Sequence, residues 1–457
     1  MGSGWTRREL MRGGASALLA GGCGTTESFR PLPPEGSPDV FFITLDDLGW
    51  KTLPRYGNAS IETPTIDAIA DRGATFLRAF NASSSCSSSR ATFATGQHVA
   101  SHGVNGLVHR FPDGALSTGR PTVARTLFHH GYDTVHFGKW HASLNSPRLH
   151  GYAFNLNDDD GRTEHIEFPD KILDILDRRG DRPLYFELNF LATHLRPGGT
   201  FPNDREFEVD PDAIALLDTW TMPDWPEIRA LAAAYFSQVR RVDSVLRHVF
   251  DAQDAQGRLE NTLIVITSDN GAPFPGNKRT LHDRGTGTPL IVSWPDGFDG
   301  GQSIDALVSS IDIAPTLLAA SDAPALETAD GRSLLGRLRG DDAQGYDAAV
   351  FSAIDNHAEY TPMRSIRTDR YRLIRSYGDT PIGLGQLDDL DWARRLVYEP
   401  NQRWNDPLPA VGLYDLEADP HEQTNLAESD AHADVLMDLW DQLERHLEAT
   451  DDALAGA

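Results

Sequence analysis

Cys86 lies in a run of small polar residues, Ala82-Ser83-Ser84-Ser85-Cys86-Ser87-Ser88-Ser89-Arg90, that leads into a short helical pattern ending at Gly96. A helix start gathers unpaired N–H groups and partial positive charge, which suits an anion or a developing oxyanion. Arg90 follows Cys86 by four residues. A helix beginning near Ser87 therefore sets its guanidinium beside residue 86, about one turn along. A small nucleophile, an anion-binding helix end and a fixed cation together suit chemistry on a sulfate or phosphate ester. The competing reading is a serine-rich loop with an incidental cysteine.

Paired oxygen ligands occur at two distant places. Val40 to Leu45 is a short apolar run, as expected for a strand buried on both faces, and it ends in Asp46-Asp47. Leu263 to Thr267 is a second such run and ends in Ser268-Asp269-Asn270-Gly271. Open α/β sheets bind ligands at the carboxyl ends of their strands. Either pair alone could be helix capping. Together, two carboxylates from one strand end and a carboxylate plus an amide from the other suit a hard divalent cation: calcium prefers this all-oxygen shell and magnesium tolerates it. Tyr132 to Phe137 reads as a strand running into Gly138-Lys139-Trp140-His141, and Leu184 to Phe190 as a strand leading to His194. A lone histidine such as His194 is more often structural than catalytic. Lys278 sits on a Gly/Pro-rich loop, followed by Arg279 and His282.

The elements that must position these residues follow an α/β pattern. Thr63 to Arg72 reads as a helix closed by Gly73, and Thr122 to His130 as another with Gly131 at its end. Residues 199 to 225 are rich in Pro, Asp and Trp and predict an irregular excursion. Pro226 to Phe250 is a long helical pattern with Pro at its start. Leu290-Ile291-Val292 and Ile311 to Ala319 complete the first region. The chain changes character near Ala325, and residues 349 to 376 alternate in short strands. About Asp430 to Glu448, Leu436, Leu439, Leu443 and Leu447 fall on one helical face and read as packing. No sustained internal repeat is present. The pattern is a large α/β domain followed by a smaller α+β domain.

With 41 Lys and Arg against 67 Asp and Glu, the net charge of −26 excludes nucleic acid as a partner, because no basic field exists to hold phosphates. No apolar run reaches transmembrane length. Thr6-Arg7-Arg8-Glu9-Leu10-Met11-Arg12 is a twin-arginine pattern, followed by a weakly apolar stretch and Cys23. It predicts export by the twin-arginine route to the periplasm or cell surface. Ala20-Gly21-Gly22-Cys23 is similar to a lipoprotein cleavage site, which would leave a lipid anchor at Cys23; the alternative is an incidental cysteine. With that leader removed or lipidated, Cys86 has no disulfide partner. The expected division is 1–23 signal, 24–38 tether, 39–325 catalytic domain and 326–457 smaller C-terminal domain completing the substrate pocket.

Set together, these motifs resemble the sulfatase family of the alkaline phosphatase superfamily. The Cys86 segment is similar to the family's cysteine–x–proline–x–arginine motif with a threonine–glycine a few residues on. Leu45-Asp46-Asp47, Gly138-Lys139-Trp140-His141, Ser268-Asp269-Asn270-Gly271, Asp312-Ile313-Ala314-Pro315-Thr316 and Leu413-Tyr414-Asp415-Leu416 with Asp419-Pro420 and Asn425-Leu426 follow in the family's order. Within the family, His98 to His109, Pro273-Phe274-Pro275 and Pro362-Met363-Arg364-Ser365-Ile366-Arg367 look closest to the heparan N-sulfatase (N-sulfoglucosamine sulfohydrolase) group.

The resemblance implies an alkaline-phosphatase-like domain, with a mixed, mostly parallel sheet between helices, and a smaller C-terminal α+β domain with an antiparallel sheet. It implies that a formylglycine-generating maturation enzyme converts Cys86 to formylglycine, whose hydrate is the nucleophile. Asp46, Asp47, Asp269 and Asn270 would hold calcium (or magnesium), which would also touch residue 86. Arg90 and Lys139 would hold the hydrate, Lys278 would neutralise charge on the sulfate, and His194 with Lys278 would protonate the leaving atom. His141 would then take a proton from the second hydroxyl. The implied substrate is a sulfated carbohydrate such as N-sulfoglucosamine, or another small sulfate ester. Alternatives on the same scaffold are an arylsulfatase, a phosphonate or phosphate monoesterase, and a non-catalytic binding protein. His357, Glu359 and Arg364 of the smaller domain would contact substrate; their competing reading is packing at the domain interface. Two departures stand out. Ser88 replaces the motif's proline, part of the signal read by the maturation enzyme. Ala192-Thr193-His194-Leu195-Arg196-Pro197 carries one extra residue before its proline.

Overall fold

The computed structural model describes residues 30–156, 169–202, 205–216, 222–341, 349–357, 359–379, 387, 390, 393–398 and 408–457. The twin-arginine segment, Cys23 and residues 24–29 of the tether lie outside the described residues. The apolar run after the tether forms β1 (Asp39–Leu45), buried along its whole length. It lies at the centre of an eight-stranded sheet. From one edge to the other the order is β4 (Phe154–Asn155), β3 (Asp133–Gly138), β5 (Leu184–Phe190), β1, β6 (Thr262–Thr267), β7 (Gly287–Ser293), β2 (Gly73–Phe80) and β8 (Gln302–Ser309). Only β7 runs against its neighbours β6 and β2; the other pairings are parallel. The sheet is thus mixed and mostly parallel. Ile43 of β1 sits level with Leu188 of β5 and Ile266 of β6.

Alternation along β1 divides the core in two, since successive strand side chains point to opposite faces. Phe41, Ile43 and Leu45 pack with Ile66 and Ile69 of α1 (Pro64–Asp71) and with Tyr235, Phe236, Val239 and Val242 of the long α5 (Pro226–Ala255). Ile172 and Leu176 of α4 (Pro169–Arg178) join that face. Val40 and Phe42 face the other way. They pack with Ala91 and Phe93 of α2 (Cys86–Thr95), Val123 and Leu127 of α3 (Val123–His129), and Ile313 and Leu317 of α6 (Ile313–Ala320).

Beyond α6 a second, four-stranded antiparallel sheet has the order β12 (Val411–Asp415), β11 (Tyr371–Ser376), β10 (Tyr360–Thr368), β9 (Ala349–Asn356). Leu439, Leu443 and Leu447 of α7 (Ala433–Ala449) pack on Ile366, Leu373 and Leu413 of this sheet, with Leu436 half-buried at the margin. The two sheets are joined by buried charge. Asp283, the first residue of the short helical turn Asp283–Thr286 before β7, accepts hydrogen bonds from Arg367 (3.2 Å) of β10 and from Arg372 of β11. Strands β2 and β8 were not anticipated from the sequence.

Candidate active site

Four neighbouring parallel strands end on one edge of the large sheet, and each hands over a residue there. Lys139 and His141 follow β3, His194 follows β5, Asp46 and Asp47 follow β1, and Asp269 and Asn270 follow β6. Two of the exit turns are strained. Asp47 (φ 61) and His141 (φ 55) both take left-handed backbone, which non-glycine residues adopt rarely and which clusters at functional sites. The Asp47 turn is held from both sides. Its N–H donates to Asp269 Oδ1 (3.1 Å), and the hydroxyl of Tyr235, on α5, donates to its carbonyl (3.0 Å).

Against this edge the start of α2 presents Cys86. Ser85 is the extended residue before the helix and Gly96 closes it in left-handed conformation (φ 69). Cys86 is buried, and its thiol donates to Asn270 Oδ1 at 3.4 Å. Burial pushes the thiol up to about 12, although Lys139 and Lys278 pull the other way. One turn along, Arg90 donates from Nε to Asp269 Oδ2 (3.0 Å) and from Nη1 to the Lys139 carbonyl (2.8 Å). Lys139 Nζ lies 2.6 Å from Asp46 Oδ2, and Lys278 Nζ lies 2.7 Å from Asp47 Oδ1.

The donor set fits a hard cation. One ligand atom from each of Asp46, Asp47, Cys86 and Asp269 can be chosen so that all lie within 4.8 Å of one another. Asp46 Oδ1 and Asp47 Oδ2 are buried and receive no hydrogen bond, with Arg90 Nη2 3.5 Å from the first and His194 Nε2 3.9 Å from the second. Bare buried carboxylate oxygens are costly unless a cation meets them. Burial, and then the neighbouring Asp46, raise the Asp269 carboxyl to about 7. Asp46 is held well below the usual range: burial works against it, but Lys139, His194 and Arg90 outweigh burial. Three carboxylates face three fixed cations here, so a bound dication would leave the site net positive and attractive to an anion.

Three histidines border the cluster. His194 Nε2 lies 3.9 Å from Asp47 Oδ2, and burial lowers its pKa. His141 is pushed well below its usual value by burial and then by Lys139 and Arg90; its Nε2 meets His109 Nδ1 at 2.9 Å. His357, from the smaller domain, reaches the start of α2, with Nδ1 3.1 Å from Ser85 Oγ. Burial, and then Lys278 and Arg279, hold it well below its usual value. Glu359 is exposed beside it, and its carbonyl accepts the His357 N–H (3.2 Å).

Arg364 departs from the expectation that it contacts substrate. Its guanidinium, on β10, is buried and donates to Asp452 (2.7 and 2.9 Å) and Asp355 (2.5 Å). With the carbonyls of Ile354 and Met363, which Nη1 also reaches, those carboxylates occupy the guanidinium, so it fastens the C-terminal turn to the small sheet. Spacing alone did not single out Ser85, His109 or Tyr235. His109 falls within the 98–109 stretch already marked by resemblance, the one signal that pointed toward it.

A family model described as Sulfatase matches residues 38–323, and one described as N-sulphoglucosamine sulphohydrolase, C-terminal, matches residues 276–391. The chain is 30% identical to human N-sulphoglucosamine sulphohydrolase over 89% of each chain. A solved structure in complex with its substrate D-glucosamine-2-N,6-O-disulfate superposes with TM-score 0.70 at 19% identity, covering 92% of this chain and 99% of that one. The phosphonate monoester hydrolase of Agrobacterium radiobacter gives TM-score 0.69 at 19% identity, over 90% and 96%. At that identity the structural likenesses speak for the fold.

Proposed function

The chain belongs to the sulfatase family, and from that premise we propose that it hydrolyses the sulfate ester or sulfamate of a sulfated sugar, N-sulfoglucosamine first among them. The observation that carries this reading is Cys86 at the start of α2, packed among three carboxylates and ringed by Arg90, Lys139 and Lys278. A thiol pushed up to about 12 offers almost no thiolate near neutral pH, so cysteine itself is a poor nucleophile here. Formylglycine at position 86 would supply, as its hydrate, two hydroxyls on one carbon. Calcium, held by Asp46, Asp47, Asp269 and Asn270, would supply Lewis-acid polarisation and a template for the anion.

The protein's own groups then divide the work. Arg90 and Lys139 fix the oxygen of residue 86. Lys278, whose pKa is raised because Asp47 and the other nearby acids outweigh burial, stays charged and neutralises the sulfate as it transfers. His194, with Lys278, delivers a proton to the departing nitrogen or oxygen. His141, kept neutral by burial and its cationic neighbours, is ready to accept a proton from residue 86. His357 and Glu359 border the cluster from the smaller domain and are the residues through which that domain would read the sugar.

This ring of cations does not by itself separate sulfate from phosphate, so a phosphonate or phosphate monoesterase is the alternative to exclude. Peptide mass spectrometry of the Cys86 segment should show sulfur lost to an aldehyde. A panel of N-sulfoglucosamine, O-sulfated sugars, aryl sulfate, aryl phosphate and a phosphonate monoester should then give its best turnover on a sulfated sugar. Full activity in Cys86→Ala would sink the mechanism; a preference for phosphate would sink the substrate class. Export by the twin-arginine route, with a lipid at Cys23, belongs to the same proposal and rests on residues 6–23. Fractionation of Cys23→Ala, with release from the membrane as the expected result, tests it. No helix among the described residues is long and apolar enough to cross a membrane.

A further inference from the structure

The segment that carries His109 is fastened to the site at both ends. The Val108 N–H donates to Ser87 Oγ (3.2 Å), on the second residue of α2. The Leu116 N–H donates to the carbonyl of Ala142 (2.9 Å), next to His141. Between these ties the exposed ring of His109 lies over that of His141, with centroids 5.1 Å apart and planes 14° from parallel. His109 Nδ1 and His141 Nε2 are 2.9 Å apart. At that distance one nitrogen donates and the other accepts.

The surroundings of His141 favour one arrangement, which His109 then holds. The other nitrogen of His141, Nδ1, is buried and has no hydrogen-bond partner. A bare buried acceptor is tolerated better than a bare buried N–H. Lys139 and Arg90 also place positive charge near the ring, which favours a lone pair over another proton. His141 therefore carries its proton on Nε2 and donates it to His109 Nδ1, leaving its own Nδ1 as a base. His109 carries its proton on Nε2.

We propose that His109 is a positioning residue for His141: it locks the Nε2–H tautomer and passes the proton that His141 collects on to water. This rests on the sulfatase reading above. His141 Nδ1 takes a proton from the hydroxyl of residue 86 while its Nε2 proton moves to His109 Nδ1, and the His109 Nε2 proton leaves to water. One proton enters and one leaves, both rings end neutral, and exchange with water restores the starting tautomers. No electron is transferred.

The test uses the full chain with His109→Ala and His109→Asn. The exposed position should let both fold, which thermal melting checks. The asparagine oxygen can accept the His141 N–H but cannot pass a proton on. In histidine-labelled protein without substrate, long-range 15N–1H spectra should show His141 as the Nε2–H tautomer in the parent and in His109→Asn, and as a mixture in His109→Ala. Both variants should lose roughly 10-fold or more in kcat with KM held within about 2-fold. Added imidazole should restore kcat in His109→Ala and leave the parent unchanged. An unchanged kcat in His109→Ala, or kcat that imidazole fails to restore, overturns the relay; an unchanged His141 tautomer in that variant overturns the positioning. A parent that cleaves no sulfate or sulfamate overturns the sulfatase reading and the relay together, while the tautomer measurement still decides the pairing.

Discussion

Ser88 occupies the third position of α2, is fully buried, and its hydroxyl has no hydrogen-bond partner. It also stands where the family motif has proline. The first N–H groups of a helix have no intrahelical acceptor, so proline is tolerated in the first turn. Ser88→Pro should therefore keep the unfolding free energy within about 1 kcal/mol of the parent. If the motif proline governs maturation, the same variant should raise the fraction of Cys86 converted to aldehyde, read by mass spectrometry of that peptide. A converted fraction that stays the same would remove Ser88 from the maturation signal. At this scale much of the site was legible in the sequence, because Asp46, Asp47, Asp269 and Asn270 directly follow apolar strands and Lys139 and His141 follow the end of another recognisable strand. Partners brought in by the tertiary fold were not. His109 meets His141 across 32 residues, Tyr235 reaches the Asp47 carbonyl across 188, and His357 reaches Ser85 across 272. The partner that holds Arg364 was hidden for the same reason, since Asp452 lies 88 residues away.

Of the strands that deliver the site, β1 and β6 are nearly continuous apolar runs, while β3 and β5 mix buried polar residues with apolar ones; all four were readable. Strands β2 and β8 were not, because polar positions break their pattern. Arg78, within β2, turns outward to Asp305 (2.6 Å) and Asp369 (2.7 Å). Strand β8 lies at the sheet edge and exposes Ser303 and Asp305. Nor does composition show that β7 runs antiparallel, since its residues are as apolar as those of a parallel strand. The close approach of β3 to β5 was equally hidden. Gly138, the last residue of β3, has φ 89, and a Cβ there would lie 1.8 Å from the carbonyl oxygen of Asn189. Gly138→Ala must push the two strand ends apart just before Lys139. We expect a loss of about 2 kcal/mol or more in unfolding free energy. Activity should fall beyond what the unfolded fraction explains, because Lys139 and His141 move with that strand end. Equilibrium urea unfolding beside kcat separates the two effects, and a variant with parental kcat per folded molecule would show that this contact does not place Lys139.

For the whole molecule, charge sets the response to acid. With a net charge of −26, acidification first relieves repulsion among surface carboxylates, which favours the compact state. Buried histidines oppose it. His102 lies beneath α2; its Nδ1 accepts the Val104 N–H (3.0 Å) and its Nε2 faces Thr92 Oγ1 (3.1 Å). Burial, and then Arg120, lower its pKa from 6.5 to about 3. The folded pKa is the lower one, so between these values the unfolded chain binds a proton that the folded chain refuses. The stability this histidine contributes is complete above pH 6.5 and is lost as pH falls toward 3. The slope from one such group approaches about 1.4 kcal/mol per pH unit. His102→Asn keeps an oxygen for the Val104 N–H and removes the titration. The variant should be less stable than the parent at pH 7 through lost packing, and the gap should narrow steadily as pH drops through the window. Urea midpoints at pH 7, 6, 5 and 4 for both proteins measure it. A gap that stays constant with pH would mean that His102 takes up its proton as readily in the fold as in the unfolded chain, and the acid sensitivity would have to come from other histidines whose pKa values are lowered by burial, His150, His282 and His446 among them.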